Sequence, residues 1–79
     1  MTLNKAFAMR VSKLLNERKM SKYRLEKDAG LAHSTMSYIF AELNEDVKFS
    51  TIVRVASALD MTLAEFFDDP IFEYTNLQY

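Results

Sequence analysis

The sequence predicts an all-α fold, a compact bundle of five helices followed by an apolar C-terminal tail. Its 79 residues contain one glycine and one proline, which favours helices over a turn-rich β fold. Apolar residues recur at helical spacing, and at 49% of the chain they are numerous enough to form one hydrophobic core. We therefore divide the chain into a domain at residues 1–69 and a tail at residues 70–79.

The first helix is predicted over residues 2–18. Apolar residues from Phe7 to Leu15 follow the i, i+4, i+7, i+8 spacing of one buried face. Two residues near the start, Thr2 and Asn4, have side chains that can cap the free amides of the first turn. The sequence leaves open which of them does so.

Residues 21–40 predict two short helices joined by a tight turn. Ser21 is a good N-cap for the first of them, since its hydroxyl can accept from a free backbone amide. Gly30 is the only glycine in the chain and stands where this helix has to end in a left-handed residue. The second helix follows at residues 33–40. Two helices of this size with a glycine in the turn are typical of a helix-turn-helix.

The stretch 41–48 contains no glycine and carries Glu42, Glu45 and Asp46. Since no glycine ends the third helix, we expect it to continue by one more turn. Leu43 would then add an apolar contact to the core.

The fourth helix is predicted over residues 49–59, with an apolar face at helical spacing. Lys48 occupies the position of its N-cap, so Ser50 is expected to cap the helix instead. Thr62 and Glu65 have the spacing of a capping box and predict a short fifth helix after Thr62.

Pro70 is expected to end the helical region, because it lacks an amide donor and restricts the preceding residue. The tail that follows, IFEYTNLQY, is richer in apolar residues than a disordered segment usually is. It should therefore pack on a surface. Phe72 and Tyr74 would cover the core of their own domain, or the tail would contact a second copy of the chain.

Several classes of protein are excluded by what the chain lacks. Without cysteine it can form neither a disulfide framework nor a thiolate metal site. No apolar run has the length of a membrane span, and the N-terminus does not resemble a signal peptide, so a cytoplasmic protein is expected. The chain has no glycine-rich phosphate loop, metal-ligand cluster or nucleophile–base pair. We therefore expect no enzymatic activity, cofactor, metal or small-molecule substrate.

The charge of the chain is unevenly distributed. Residues 1–30 carry eight basic and three acidic residues, a net charge of +5, whereas residues 31–79 carry two basic and eight acidic residues, a net charge of −6. The total of −1 argues against general nucleic-acid binding. A basic half can still present one positive face to phosphates. The alternative is that these charges simply keep helix surfaces hydrated.

Three segments, RVSKLLNERKMS, LEKDAGLAHSTMSYI and TIVRVASALDMTLAEFF, occur in this order with short connections. Together they resemble the DNA-binding domains of the phage-repressor and Cro family, also called the Xre type, with a lambda-repressor-like fold. The resemblance covers residues 6–67. It implies that the helix at residues 33–40 enters the major groove of DNA.

Family base-contact positions correspond here to residues that face outward when Met36 and Ile39 face the core. His33 can donate to guanine or to a phosphate, and serines can bond to any base type. The resemblance also implies a phosphate contact at the start of the second helix, and a lysine before the fourth helix is a second candidate across the groove. The implied base contacts are His33, Ser34, Ser37 and Tyr38, and the phosphate contacts are Lys22 and Lys48.

The chain departs from the family pattern in three places. Glu26 occupies a position that is usually small, so its side chain must lean outward or find a basic partner. Ala32 replaces the usual Ser or Thr cap of the third helix, at a cost of about 1 kcal/mol. The acidic stretch at residues 42–46 would face DNA phosphates, where like charges are unfavourable.

The sequence therefore predicts a sequence-specific transcriptional regulator that binds double-stranded DNA. We expect a repressor that binds a palindromic operator as a homodimer. The alternative is an antitoxin-like or other protein-binding module with the same fold. The predicted dimer contacts are Phe67, Ile71, Phe72, Tyr74 and Leu77.

Overall fold

The computed structural model describes residues 1–41 and 47–77 of the chain. The predicted all-α, five-helix fold is confirmed for these residues. Features predicted for residues 42–46, including the continuation of the third helix and the contact of Leu43, lie outside the described residues. The helices are α1 (Leu3–Arg18), α2 (Lys22–Ala29), α3 (His33–Ala41), α4 (Phe49–Ala58) and α5 (Leu63–Phe67), followed by 3₁₀ turns at Pro70–Phe72 and Tyr74–Asn76.

The core is formed by the apolar faces that the spacing predicts. Helix α1 packs on α3, and α2 packs on α4, so that every helix contributes to one continuous cluster. The side chains of Leu25, Val55, Leu59 and Phe66 have no exposed surface. In the described part of the chain, no helix is both long and apolar enough to cross a membrane.

The helix ends follow mostly from local sequence. The Ser21 hydroxyl accepts from the Arg24 amide at 3.0 Å, and Gly30 has a φ of +67°, as predicted. Thr2, rather than Asn4, caps α1 by accepting from the Lys5 amide at 3.1 Å. Each of these ends needs only neighbours within a few residues, which is why the sequence predicts them.

The capping box of α5 is also confirmed. The Thr62 hydroxyl accepts from the Glu65 amide at 3.1 Å, and the Thr62 amide donates to the Glu65 carboxylate at 2.8 Å. The pKa of the Glu65 carboxyl lies below its usual range, chiefly because the Thr62 amide donates to the carboxylate.

The predicted cap of α4 at Ser50 is wrong. The helix begins at Phe49, as predicted, but Lys48 is the N-cap and its side chain makes no capping bond. The carbonyl of Lys48 already accepts from the amides of Thr51 and Ile52, at 3.0 and 3.2 Å. Ser50 therefore lies inside the helix, where its hydroxyl cannot act as a cap.

Pro70 was predicted to end the helical region. The last α-helix ends before it, at Phe67, but Pro70 itself begins a further 3₁₀ turn. Proline suits this position because its φ is already fixed near the helical value and the missing amide is not needed there. The Asp69 carboxylate caps the turn by accepting from the Ile71 amide at 2.9 Å.

The tail folds back on its own domain, and the two aromatic residues in its described part, Phe72 and Tyr74, differ in environment. The ring of Phe72 lies 4.9 Å from that of Phe67 and 6.2 Å from that of Phe66, between ring centres. Tyr74 is 82% exposed, so its predicted packing on the core is wrong. The end of the tail reaches the start of the chain, where the amino group of Met1 donates to the Asn76 carbonyl at 2.7 Å.

Asp69 makes the stability of the fold dependent on pH. Its pKa lies below the usual range, chiefly because the Ile71 amide donates to it; Lys13 and Arg10 add to this effect, and burial opposes it. An aspartate with a lowered folded pKa stabilises the fold above its unfolded pKa, near 3.9, and this contribution disappears as the pH falls through the folded value. Asp69→Asn should therefore lower the melting temperature more at about pH 6 than at about pH 2.

Thermal unfolding across this pH range tests the prediction. Asparagine keeps an oxygen for the Ile71 amide, so the substitution removes mainly the charge. Asp68→Asn, at the exposed neighbouring position, is the matched control. A melting-temperature difference between wild type and Asp69→Asn that stays constant with pH would contradict the assignment.

Candidate nucleic-acid interface

One face of α3 is buried and the opposite face is exposed. Met36 and Ile39 are only 4% exposed and pack in the core, as predicted. Their spacing of three residues fixes the rotation of the helix, because positions three apart share a face. The predicted base-contact residues are all exposed: His33, Ser34, Ser37 and Tyr38.

Beside one edge of α3 lies a hollow of about 320 Å³ that we call the Lys48 flank. It is lined by Ser34 and Tyr38 from α3, by Lys48 before α4, and by Asn4 from α1. The Asn4 side chain accepts from the Val47 amide at 3.2 Å, which joins the start of α1 to the segment that carries Lys48. A cationic side chain thus stands beside two predicted base-contact residues.

Beside the other edge lies the Lys22 flank, a hollow of about 260 Å³. It is lined by Lys22 and Tyr23 from α2 and by His33, Ser37 and Phe40 from α3. The ammonium group of Lys22 lies 3.9 Å from the centre of the Phe40 ring, within the range of a cation–π contact. This contact holds the cationic group close to α3.

Glu26, which stands where the family usually has a small residue, has found a basic partner. The Glu26 carboxylate lies 2.9 Å from Nδ1 of His33 and joins α2 to the first residue of α3. The Glu26 side chain is only 13% exposed, whereas that of His33 is 88% exposed. The imidazole is therefore held at one nitrogen and open to solvent on its other side.

Arg10, one of the eight basic residues of the N-terminal half, is part of the core. It is 8% exposed, and its guanidinium donates to the carbonyls of Phe66 and Glu65 at 2.7 and 3.0 Å. A third bond, of 3.3 Å, joins it to the Asp69 carboxylate. Its position between Phe7 and Val11 on the apolar face of α1 is the sequence signal for this role.

Other basic residues of the N-terminal half also have structural partners. Lys13 bonds to Asp69 at 3.1 Å, and Arg24 bonds to Asp28 at 2.8 Å. Arg18 donates to the Leu59 carbonyl at the end of α4. The charge available to an external anion is therefore smaller than the net charge of the N-terminal half indicates.

Sequence reasoning missed several residues that line the flanks of α3, among them Tyr23 and Asn4. Tyr23 is 70% exposed beside Lys22, and an exposed tyrosine next to a predicted phosphate contact could have been noticed. Asn4 bonds to Val47 across 43 positions of sequence, and no local signal indicates that it lines a flank. Among the described residues, no group of three or more His, Cys, Asp or Glu could hold a metal ion.

Comparison with known families gives one match. The model of a family described as a Cro/C1-type HTH DNA-binding domain matches residues 10–70, which include α2, α3 and both flanks except Asn4. No curated protein and no solved structure matches the chain.

Proposed function

The chain belongs to the Cro/C1-type helix-turn-helix DNA-binding domain family, and we propose that it is a repressor that binds a palindromic operator as a homodimer. The observation that carries this proposal is the arrangement around α3. Four exposed polar side chains lie on one helix, and each edge of that helix has one lysine beside it.

This arrangement suits insertion of α3 into the major groove. The exposed face of α3 would meet the base edges, and phosphates run along both sides of the groove. Lys22 and Lys48, on opposite edges of α3, would each contact one of the two sugar–phosphate backbones. None of the predicted base contacts forms the bidentate pairs of Arg, Asn or Gln, so we expect modest specificity for each half-site.

We propose a homodimer because a single domain of this size would contact only a short stretch of DNA. Two copies would place their α3 helices in successive major grooves, about 34 Å apart. The proposed dimer surface is the exposed part of the tail and of α5. Phe67 is 37% exposed and Tyr74 is 82% exposed, whereas Phe72 already contacts its own domain. The other members of this surface are the half-buried residues Ile71 and Leu77.

The position of the tail supports such a dimer. Asn76 bonds to Met1, and Asn4, three residues later, lines the Lys48 flank. The tail and this flank therefore lie near the same end of α1. A two-fold axis at the tail would bring the Lys48 flanks of the two copies towards each other.

A protein-binding module is the second candidate. Phe49 and Val53, four residues apart on α4, are 65% and 40% exposed, and the C-terminal half of the chain is acidic. An exposed apolar helix face with acidic surroundings is suited to contact with a basic protein.

Selection from a random duplex library at low salt, followed by a salt titration of the winning sequence, tests the proposal. Enrichment of a palindrome with half-sites one helical turn apart, together with steep weakening as salt rises, would support a dimeric regulator. Absence of enrichment at every salt concentration would favour the protein-binding module. Sedimentation that shows only monomer at high concentration would contradict the homodimer.

A further inference from the structure

The bond between Glu26 and His33 constrains where the imidazole can carry its proton. An ionised carboxylate can only accept hydrogen bonds, and Nδ1 of His33 lies 2.9 Å from the Glu26 oxygen. Nδ1 must therefore be the nitrogen that carries a hydrogen. In the neutral ring, Nε2 is then left as an acceptor.

The surroundings of His33 strengthen this constraint. The polar groups of the Lys22 flank are the ammonium of Lys22, the hydroxyls of Tyr23 and Ser37, and the Glu26 carboxylate. Lys22 can only donate, and its ammonium lies over the Phe40 ring. Among the described residues, Glu26 is the one carboxylate that lines this flank, and its low exposure of 13% limits competition from water.

The free edge of the ring faces the proposed DNA surface. His33 is the first residue of α3 and its side chain is 88% exposed, so Nε2, on the far side of the ring from Glu26, is open to a ligand. In the helix-turn-helix mode, residues at this end of the helix meet the base edges.

We infer that Glu26 is a positioning residue that holds neutral His33 in the Nδ1–H form, so that Nε2 accepts a hydrogen bond from an exocyclic amino group in the major groove. Adenine presents such a donor at N6 and cytosine at N4, whereas guanine presents only acceptors there. His33 then selects adenine or cytosine against guanine, the reverse of what a donating histidine would select. This inference rests on the proposed function, because it assigns a base preference to the same surface.

The tautomer can be measured without DNA. His33 is the only histidine of the chain, so its two ring nitrogens give unambiguous signals in a long-range proton–nitrogen NMR spectrum. We would record the spectrum at about pH 8, above the usual titration range of imidazole. We expect a protonated Nδ1 and an unprotonated Nε2 in the wild-type protein.

Glu26→Gln should change the tautomer of His33, although glutamine has nearly the same shape as glutamate. The amide can donate to Nδ1 as well as accept from it, so the Nε2–H form becomes available. We expect the two nitrogen shifts to move towards each other or to exchange. Glu17→Gln, an exposed position on α1 with the same change of charge, should leave them unchanged. Circular dichroism of both variants checks that the helices are retained.

Base preference is then measured with the selected duplex at the same pH of about 8, because a protonated imidazole would donate at both nitrogens. The base pair contacted by His33 is identified as the one at which the His33→Ala variant no longer prefers any base. There, wild type should favour adenine or cytosine over guanine by on the order of three- to tenfold, the value of one hydrogen bond. Glu26→Gln should shift this preference towards guanine, and Glu17→Gln should not.

The outcomes separate this inference from the proposed function. A protonated Nε2 with a bare Nδ1 in wild type would overturn the inference, whatever the DNA result. A preference for guanine at the His33 position, or a preference that Glu26→Gln leaves unchanged, would overturn the assigned contact. Absence of any selected sequence would overturn the proposed function and with it the base contact, while the NMR spectrum would still decide the tautomer.

Discussion

Arg10→Met should lower the free energy of unfolding by about 3–5 kcal/mol, the usual cost of removing one partner of a buried ion pair. The guanidinium satisfies the carbonyls of Glu65 and Phe66 and one oxygen of Asp69, and its own exposure is 8%. Methionine would fill part of the volume but remove the Arg10 donor from all three acceptors, and Asp69 would keep only Lys13 and the Ile71 amide. Since a domain of this size is usually stable by only about 4–12 kcal/mol, the variant should be close to unfolding.

Urea unfolding followed by circular dichroism measures this loss. Arg24→Met is the matched control, because it removes an arginine from an exposed pair with Asp28 on one helix. Such pairs contribute only about 0.3–0.5 kcal/mol. If Arg10→Met were no more destabilising than Arg24→Met, the interactions of Arg10 would not be structural in solution.

The contribution of the Asp69 carboxylate to this loss of stability can be tested separately. Asp69→Asn in the Arg10→Met background removes a carboxylate charge that would otherwise keep only the exposed Lys13 as its cationic partner. We expect the double variant to be less destabilised than the sum of the two single substitutions, because residues in one ion-pair network are coupled.

Lys22→Glu should weaken DNA binding by on the order of tenfold to a hundredfold at low salt, if Lys22 contacts a phosphate as proposed. The substitution replaces an attractive charge with a repulsive one at the edge of α3. It also removes the ammonium from the face of Phe40, where it lies 3.9 Å from the ring centre. Equilibrium binding by fluorescence anisotropy to the selected duplex measures the loss.

Lys27→Glu is the control for net charge. Lys27 is exposed on the same helix but does not line the hollow beside α3, so its reversal should cost much less. Equal losses for the two variants would indicate a general field effect and no contact at Lys22. A protein complex that survives Lys22→Glu would indicate that the partner binds another surface.

Lys22→Met refines the test because it removes the charge without adding a repulsive one. A single lost phosphate contact should reduce the slope of log affinity against log salt by about 0.9. The affinity for unrelated duplexes should fall by a similar factor, since a phosphate contact does not distinguish bases.

The candidate site could be predicted from sequence in outline. The spacing of Met36 and Ile39 fixes which side of α3 is exposed. The family resemblance pointed to Lys22 and the position before the fourth helix to Lys48, the two lysines that line the hollows beside α3. The bond of Glu26 to His33 was not predictable as such. Sequence indicated only that a glutamate at this position needed a partner, since seven residues and a turn separate the two side chains.

The sequence by itself determined the number of helices, the rotation of each about its axis, and most of their ends. Ser21, Gly30 and Thr62 act within a few residues of themselves, so their effects are local and appear in the pattern. Ser50 was mistaken for a cap because side-chain preference was considered without the backbone carbonyl of Lys48, which begins the helix without side-chain help.

Only the tertiary structure decided the roles of individual charges and of the tail. Arg10 meets carbonyls that lie 55 and 56 positions away, so its burial depends on how α5 packs on α1. Phe72 and Tyr74 are two residues apart, yet one packs on Phe67 while the other is exposed. Charge and hydrophobicity belong to a residue, but its partners depend on which distant segment the folded chain brings beside it.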